Sequence, residues 1–187
     1  WSMVQTDEQT LWIATRNGLN KLDLTSAKVS RYLVAGQPDL MSTSMMFKVL
    51  TASDHKLLLS SGDPGESLLA FDTNSAQQVP LLLGDEHTEE VMSEPLSGFY
   101  LDAQDLLWFA SESDFYRYDM QTGIATPLPG LSDELEIESF TGFLGYLPDR
   151  PQQMLISSYR QLGLFNAKTG QVKPIFSLSD EQTEEDY

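Results

Sequence analysis

Short apolar runs alternate with polar segments along this chain, and one of these runs recurs four times. Apolar residues followed by small polar ones begin at Trp12, Leu58, Trp108 and Leu155. Successive copies start 46 to 50 residues apart, and turn-forming residues separate them. Runs of this length with partial period-two alternation are typical of β-strands. The pattern therefore predicts a repeated unit of short strands, not helices, at these positions.

A second apolar run recurs in step with the first and always ends on Asp or Asn. Its last residues are Asp23, Asp72, Asp119 and Asn166, spaced 47 to 49 residues apart. Each is followed by Ser, Thr, Asn or Gly, which reverse a strand through local hydrogen bonds or positive φ. Two recurring anchors in register predict that every unit is a four-stranded antiparallel meander, with strands A to D.

A repeat of about 47 residues built from four short strands is typical of a β-propeller blade. One such sheet cannot bury both faces alone, so neighbouring sheets stack around an axis, with large strand B side chains such as Trp12 and Trp108 between them. The predicted class is all-β, with blades at about 1–34, 44–83, 97–129 and 139–177 and an acidic tail or linker at 179–187. Since rings have about four to eight blades, we expect part of a larger ring or self-association that completes one.

Charge and composition exclude several classes of partner and chemistry. The chain has 28 acidic against 11 basic residues, a net charge of −17, whereas nucleic acids and anionic lipids select basic surfaces. No apolar run approaches the ~20 residues that cross a bilayer, and the absence of cysteine excludes disulfides and thiolate zinc sites. No phosphate loop or nucleophile elbow occurs. We therefore predict no nucleic-acid binding, no direct membrane contact, no enzymatic activity, no cofactor and no metal site.

Residues 11–23 (LWIATRNGLNKLD) closely resemble the two-component regulator propeller repeat, and residues 107–111 (LWFAS) resemble it less closely. The second and fourth units keep only the spacing and the apolar character. This resemblance implies a periplasmic or extracytoplasmic sensor region of a bacterial receptor whose output is a histidine kinase or diguanylate cyclase. Such regions sense ligands, often saccharides. We accordingly interpret the chain as a piece of a longer receptor.

The third unit is also similar to the repeat of streptogramin lyase, a propeller enzyme that relies on histidine and a divalent metal. Here the only histidines are His55 and His87. Their register places His55 in a turn between strands A and B and His87 in a connection between strands D and A, on opposite faces. A propeller lyase or hydrolase is therefore the third functional hypothesis, after the two given below.

Binding is expected on the face that carries the B–C loops and the D–A connections. These are the long, irregular segments, and variable loops on a rigid scaffold usually carry function. Arginine and asparagine donors with a tyrosine ring suit a small polar ligand such as a saccharide, and the many carboxylates suit a cation, an amine or a basic partner. The candidate ligand-binding residues on the B–C loops are Arg16, Asn17, Asp63, Glu112, Asp114, Tyr159 and Arg160.

The sequence thus predicts a non-enzymatic, ligand-sensing propeller segment of a bacterial signal-transduction receptor. The alternative is a protein-interaction scaffold whose acidic loop face docks a basic protein partner.

Overall fold

The computed structural model describes residues 2–15, 18–32, 46–52, 55–61, 68–111, 114–128, 142–158 and 161–177. Within them the chain forms sixteen strands and one helix. Blade 1 contains β1 (Ser2–Asp7), β2 (Thr10–Thr15), β3 (Gly18–Asp23) and β4 (Val29–Tyr32). Blade 2 contains β5 (Met46–Thr51), β6 (Lys56–Ser61), β7 (Leu68–Asp72) and β8 (Gln77–Val79), and it is followed by α1 (Glu86–Met92).

The second half repeats the same plan. Blade 3 contains β9 (Ser97–Leu101), β10 (Leu106–Ala110), β11 (Phe115–Asp119) and β12 (Ile124–Pro127). Blade 4 contains β13 (Gly142–Leu147), β14 (Arg150–Ser157), β15 (Gln161–Asn166) and β16 (Val172–Ser177). In each sheet the strands lie side by side in chain order. The all-β class and the four-stranded meanders are thereby confirmed.

The recurring Asp or Asn ends strand C of every blade, and the same hydrogen bonds explain all four copies. Its Oδ1 accepts the backbone amides two and three residues later, at 2.7 to 3.2 Å. This turn satisfies amides that have left the sheet and reverses the chain toward strand D. The acceptors are Asp23, Asp72, Asp119 and Asn166.

Strand D of blade 2 is shorter than the sequence pattern indicated. The apolar character continues to Leu82, but β8 ends at Val79. The next residue is Pro80, which has no amide hydrogen to donate to β7. The ladder therefore stops there.

The chain divides into two compact units. The first comprises Trp1–Pro95, Ala103–Asp105 and Asp119–Ile124, and thus contains blades 1 and 2. Its core packs Trp12 of β2 against Phe71 of β7 and the half-buried Tyr32 of β4, with ring centroids 5.3 to 5.6 Å apart. The rest of this core is aliphatic and contains Ala14, Leu19, Val49, Leu57, Leu59 and Leu69.

The second unit comprises Leu96–Asp102, Leu106–Tyr118 and Ala125–Tyr187. In its core Trp108 of blade 3 contacts Phe143 and Phe165 of blade 4, with ring centroids 5.6 and 5.8 Å apart. Strands β9 and β13 approach so closely that a Cβ on Gly142 would clash with the Cα of Gly98. In each unit a strand B tryptophan therefore packs between two sheets, as predicted.

The helix α1 is the one element among the described residues that the sequence pattern did not predict. It lies in the D–A connection after blade 2, which was expected to be irregular. The side chain of Asp85 accepts the Thr88 amide at 2.8 Å and caps the first turn, which suits its extended backbone. Thr88, Val91 and Met92 form the buried face. With seven residues, the helix was too short to show a clear 3.6-residue period.

In the described part of the chain, the helix is far too short and polar to cross a bilayer.

Candidate functional site

The sequence-predicted site lies largely outside the described residues. Asp114 is described, in the loop between β10 and β11 where it was expected. Its Oδ1 accepts the Phe115 amide at 2.8 Å and its carbonyl accepts the Ser111 amide at 2.8 Å, so this half-buried residue closes the loop. A ligand-binding role for it stays a prediction. The other six predicted residues, outside the described ranges, are Arg16, Asn17, Asp63, Glu112, Tyr159 and Arg160.

The structure adds a cleft that sequence reasoning missed, on the opposite edge of blades 1 and 2. Its volume is about 420 Å³, within the range of sites for small molecules. The walls of this cleft, named here the Trp12 cleft, come from the adjoining ends of β1 and β2, from β3, from the adjoining ends of β5 and β6 and from the C–D turn of blade 2. The lining residues are Thr6, Asp7, Thr10, Trp12, Lys21, Thr51, Ala52, His55, Lys56, Leu57, Thr73 and Asn74.

Positive charge is concentrated in this cleft although the chain is strongly acidic. Among the described lining residues, the cations of Lys21 and Lys56 and the imidazole of His55 accompany one carboxylate, that of Asp7. The Asp7 Oδ1 accepts the Gln9 amide at 2.8 Å and so serves the A–B turn of its own blade. The cleft therefore has the opposite charge balance to the molecule as a whole, which favours an anionic ligand.

A strained turn holds His55 at the rim of the cleft. Its φ is +59°, a left-handed conformation that is uncommon for residues other than glycine. The His55 carbonyl accepts hydrogen bonds from both the amide and the hydroxyl of Thr73 at 2.9 Å. These bonds join His55 to the C–D turn of the same blade. The imidazole also helps to lower the pKa of the Asp72 carboxyl, after the larger effect of hydrogen bonds from Ser75.

Trp12 forms the apolar wall of the cleft and carries a buried polar group. Its side chain is 1% exposed, and its Nε1–H has no hydrogen-bond acceptor among the described residues. Lys21, which pairs with it across β2 and β3, places Nζ 5.6 Å from the centre of the ring. A buried indole N–H usually has an acceptor, so this donor is the exception that needs an explanation.

The equivalent tryptophan in blade 3 has its acceptor. Trp108 Nε1 donates to Asp102 Oδ2 at 3.0 Å, and Asp102 Oδ1 accepts the Leu106 amide at 3.0 Å. The guanidinium of Arg117 lies 5.9 Å from the centre of the Trp108 ring. Burial, and next the negative charge of Asp102, raise the pKa of the neighbouring Tyr146 to about 12. Blade 3 therefore holds an internal carboxylate where blade 1 opens into a cleft.

A second cavity of about 330 Å³ lies in the same unit, between blade 2 and α1. Its walls include Leu68, Leu69, Val79, Leu81 and Met92. The lining is mainly aliphatic, and its polar residues, Gln78, Glu89 and Ser93, are fewer than those of the first cleft. The Trp12 cleft is therefore the stronger candidate.

The histidines and acidic residues do not assemble a metal centre in the part of the chain that the structure describes. His55 lies in the A–B turn of blade 2 and His87 lies in α1, in the D–A connection, the two segments that the register predicted.

Comparison with family models and with curated protein sequences found no match. Solved structures that are similar include two extracellular domains of Bacteroides thetaiotaomicron proteins assigned as hybrid two-component systems. The first has a TM-score of 0.70 and 18% sequence identity, and the match covers 95% of this chain and 24% of that domain. The second has a TM-score of 0.65 and 16% identity, and the match covers 93% of this chain and 24% of that domain. An inactive variant of virginiamycin B lyase from Staphylococcus aureus, with quinupristin, has a TM-score of 0.63 and 13% sequence identity. The match covers 96% of this chain and 56% of the lyase chain.

The chain spans about a quarter of the length of the two receptor domains. At identities of 13 to 18%, the structural similarity establishes a shared fold alone. The propeller fold predicted from the repeat is thus confirmed, and the structures that share it include extracellular domains of the receptor class that residues 11–23 resemble, as well as a lyase.

Proposed function

We propose that this chain is a ligand-sensing propeller segment of an extracytoplasmic bacterial receptor and that it does not itself catalyse a reaction. The observation that carries the proposal is a fold shared with two-component extracellular domains over 93 to 95% of the chain. The sequence resemblance of blade 1 points to the same class of receptor.

A site of suitable size supports ligand binding rather than a purely structural role. The Trp12 cleft has a volume of about 420 Å³ and combines an indole with hydroxyl groups and cations. Two of its lining residues are joined by a backbone hydrogen bond, in which the Thr73 amide donates to the His55 carbonyl at 2.9 Å. A preformed cleft binds without the added cost of ordering its walls.

The test is a binding screen on the purified 187-residue chain with neutral saccharides, acidic saccharides and amines. Sensing predicts saturable binding of at least one small molecule by calorimetry, with the ligand recovered chemically unchanged. Conversion of the ligand would instead support the lyase or hydrolase reading. If no small molecule binds, the sensing proposal is wrong for this segment.

A docking scaffold for a basic protein is the second candidate. The observation in its favour is the acidic excess, to which the exposed Glu86, Glu89 and Glu90 of α1 contribute. Poly-L-lysine is a suitable probe. This candidate predicts binding that weakens on Glu89→Gln more than on Glu8→Gln in the A–B turn of blade 1, whereas equal losses would indicate unspecific charge attraction.

A further inference from the structure

We propose that the cleft between blades 1 and 2 binds a small, hydroxyl-bearing organic carboxylate, and that Trp12 Nε1–H and Lys21 receive its carboxylate group. This inference rests on the proposed sensing function and names the ligand class. It places the site on the edge that carries the A–B and C–D turns, opposite to the B–C loops.

The chain itself shows which group such a tryptophan selects. In blade 3 the indole N–H of Trp108 donates to the carboxylate of Asp102, six residues earlier, and the cation of Arg117, nine residues later, lies against the ring. In blade 1 the same offsets from Trp12 lead to Thr6 and Lys21. The indole and the cation are retained, whereas a threonine replaces the carboxylate.

Asp7 does not take over the role of Asp102. A register shift between Gln5 and Asp7 pairs Asp7 with Thr10. Its carboxylate is exposed and accepts the Gln9 amide at 2.8 Å, within the turn. The Trp12 donor therefore has no acceptor among the described residues, and a buried unsatisfied donor is unfavourable. A ligand carboxylate would supply the missing acceptor.

The other walls of the cleft agree with a hydroxylated anion. Among the described lining residues the cations of Lys21 and Lys56 outnumber the Asp7 carboxylate, and the His55 imidazole adds a polar group, so these residues favour negative charge. Hydroxyl and amide groups on Thr6, Thr10, Thr51 and Asn74 can bind ligand hydroxyls. Phosphate is a poorer fit, because the lining residues that the structure describes include no arginine and no helix N-terminus.

The direct experiment measures calorimetric binding of D-glucuronate and D-galacturonate to the full 187-residue chain, with D-glucose and D-galactose as neutral counterparts and inorganic phosphate as a plain anion. We expect at least one sugar acid to bind about tenfold or more tightly than its neutral counterpart and than phosphate. Equal affinity for acid and neutral sugar, binding of phosphate with similar affinity, or no binding of either acid would overturn the proposal.

The site is located by the indole N–H signals in a nitrogen–proton correlation spectrum. The chain contains three tryptophans, so Trp12→Phe assigns the Trp12 signal by its disappearance. The sugar acid should move that signal and leave the Trp108 signal, whose donor is already paired, unchanged. A Trp12 signal that does not move on saturation places the ligand elsewhere and contradicts the inference.

The decisive variant is Thr6→Asp, which offers the indole a carboxylate from the chain as in blade 3. We expect sugar-acid affinity to fall about tenfold or more and the melting temperature of the ligand-free protein to rise. Lys21→Gln should also weaken binding about tenfold, whereas the matched control Lys28→Gln removes an exposed charge outside the cleft and should not. Unchanged affinity in both Thr6→Asp and Lys21→Gln would sink the site assignment.

These outcomes separate the inference from the proposed function. A neutral saccharide that binds without moving the Trp12 signal would refute the carboxylate site and leave sensing intact. A sugar acid that binds the cleft but produces no response in the whole receptor would refute sensing and leave the site intact.

Discussion

Two tryptophans at the same place in the repeat have different hydrogen-bonding environments. Both Trp12 and Trp108 are almost fully buried, at 1% and 2% exposure, and the repeat predicts the same packing role for each. Packing is shared, but the Asp102 carboxylate satisfies only the Trp108 donor. The difference arises in the A–B turn, not in the tryptophan strand.

Phenylalanine substitutions at these positions should therefore differ in cost. Both remove similar ring area, but Trp108→Phe also takes a donor away from the buried Asp102 carboxylate. We expect Trp108→Phe to lower the free energy of unfolding by about 1–2 kcal/mol more than Trp12→Phe. Urea unfolding of the two variants measures the difference, and equal losses would show that the Asp102 bond contributes nothing net.

Tyr146 should ionise far later than an ordinary tyrosine. Burial, followed by the negative charge of Asp102, raises its pKa from 10.0 to about 12. The folded state thus holds the phenol proton more tightly than the unfolded state, so the stability due to this group is complete below pH 10 and is lost as the pH rises through 12. Tyrosinate absorbance of the wild type minus that of Tyr146→Phe should show this late titration. Asp102→Asn should shift it to lower pH, and an ordinary titration near pH 10 in the wild type would contradict the assignment.

At the scale of elements, the C–D turn is the most regular feature of the chain. All four copies use one side-chain oxygen to accept two amides, and aspartate and asparagine serve equally well because both carry Oδ1. Strand ends and helices are less regular. Pro80 cuts β8 short, and Asp85 starts a helix within a segment that was expected to be irregular.

Asn166 gives a clean test of this turn because it is uncharged. Asn166→Ala removes the acceptor of the Lys168 and Thr169 amides and should lower the free energy of unfolding by about 1 kcal/mol. Asn166→Asp keeps the oxygen and should remain close to the wild type. Chemical denaturation compares the two variants. If the aspartate variant lost as much stability as the alanine variant, the turn would not depend on the oxygen.

At the scale of the whole molecule, charge is the dominant feature. The 187-residue chain has a net charge of −17, so its acidic side chains repel one another in the compact state. The Trp12 cleft differs locally, because Lys21 and Lys56 line it. The predicted larger ring and self-association belong to this scale too and stay predictions, as do the blade boundaries.

Screening should therefore stabilise the fold. Raising sodium chloride from about 10 mM to about 0.1 M shortens the Debye length from roughly 30 to roughly 10 Å, so we expect the melting temperature to rise. Potassium chloride at equal ionic strength is the control and should give the same rise, because screening does not depend on the cation chosen. A melting temperature that stays constant or falls would show that attraction between opposite charges outweighs repulsion.

The class of the fold could be predicted from the residues alone, because strand periodicity and turn chemistry are local properties that every repeat shows again. Trp12 and Trp108 lie in strands, and the four Asp or Asn residues each end a strand, as the repeat predicted. They could not reveal the Trp12 cleft, whose walls come from turns about 45 residues apart, nor the missing partner of its indole. Both features required the folded chain, because a cavity and an unpaired donor depend on which residues meet when two sheets pack.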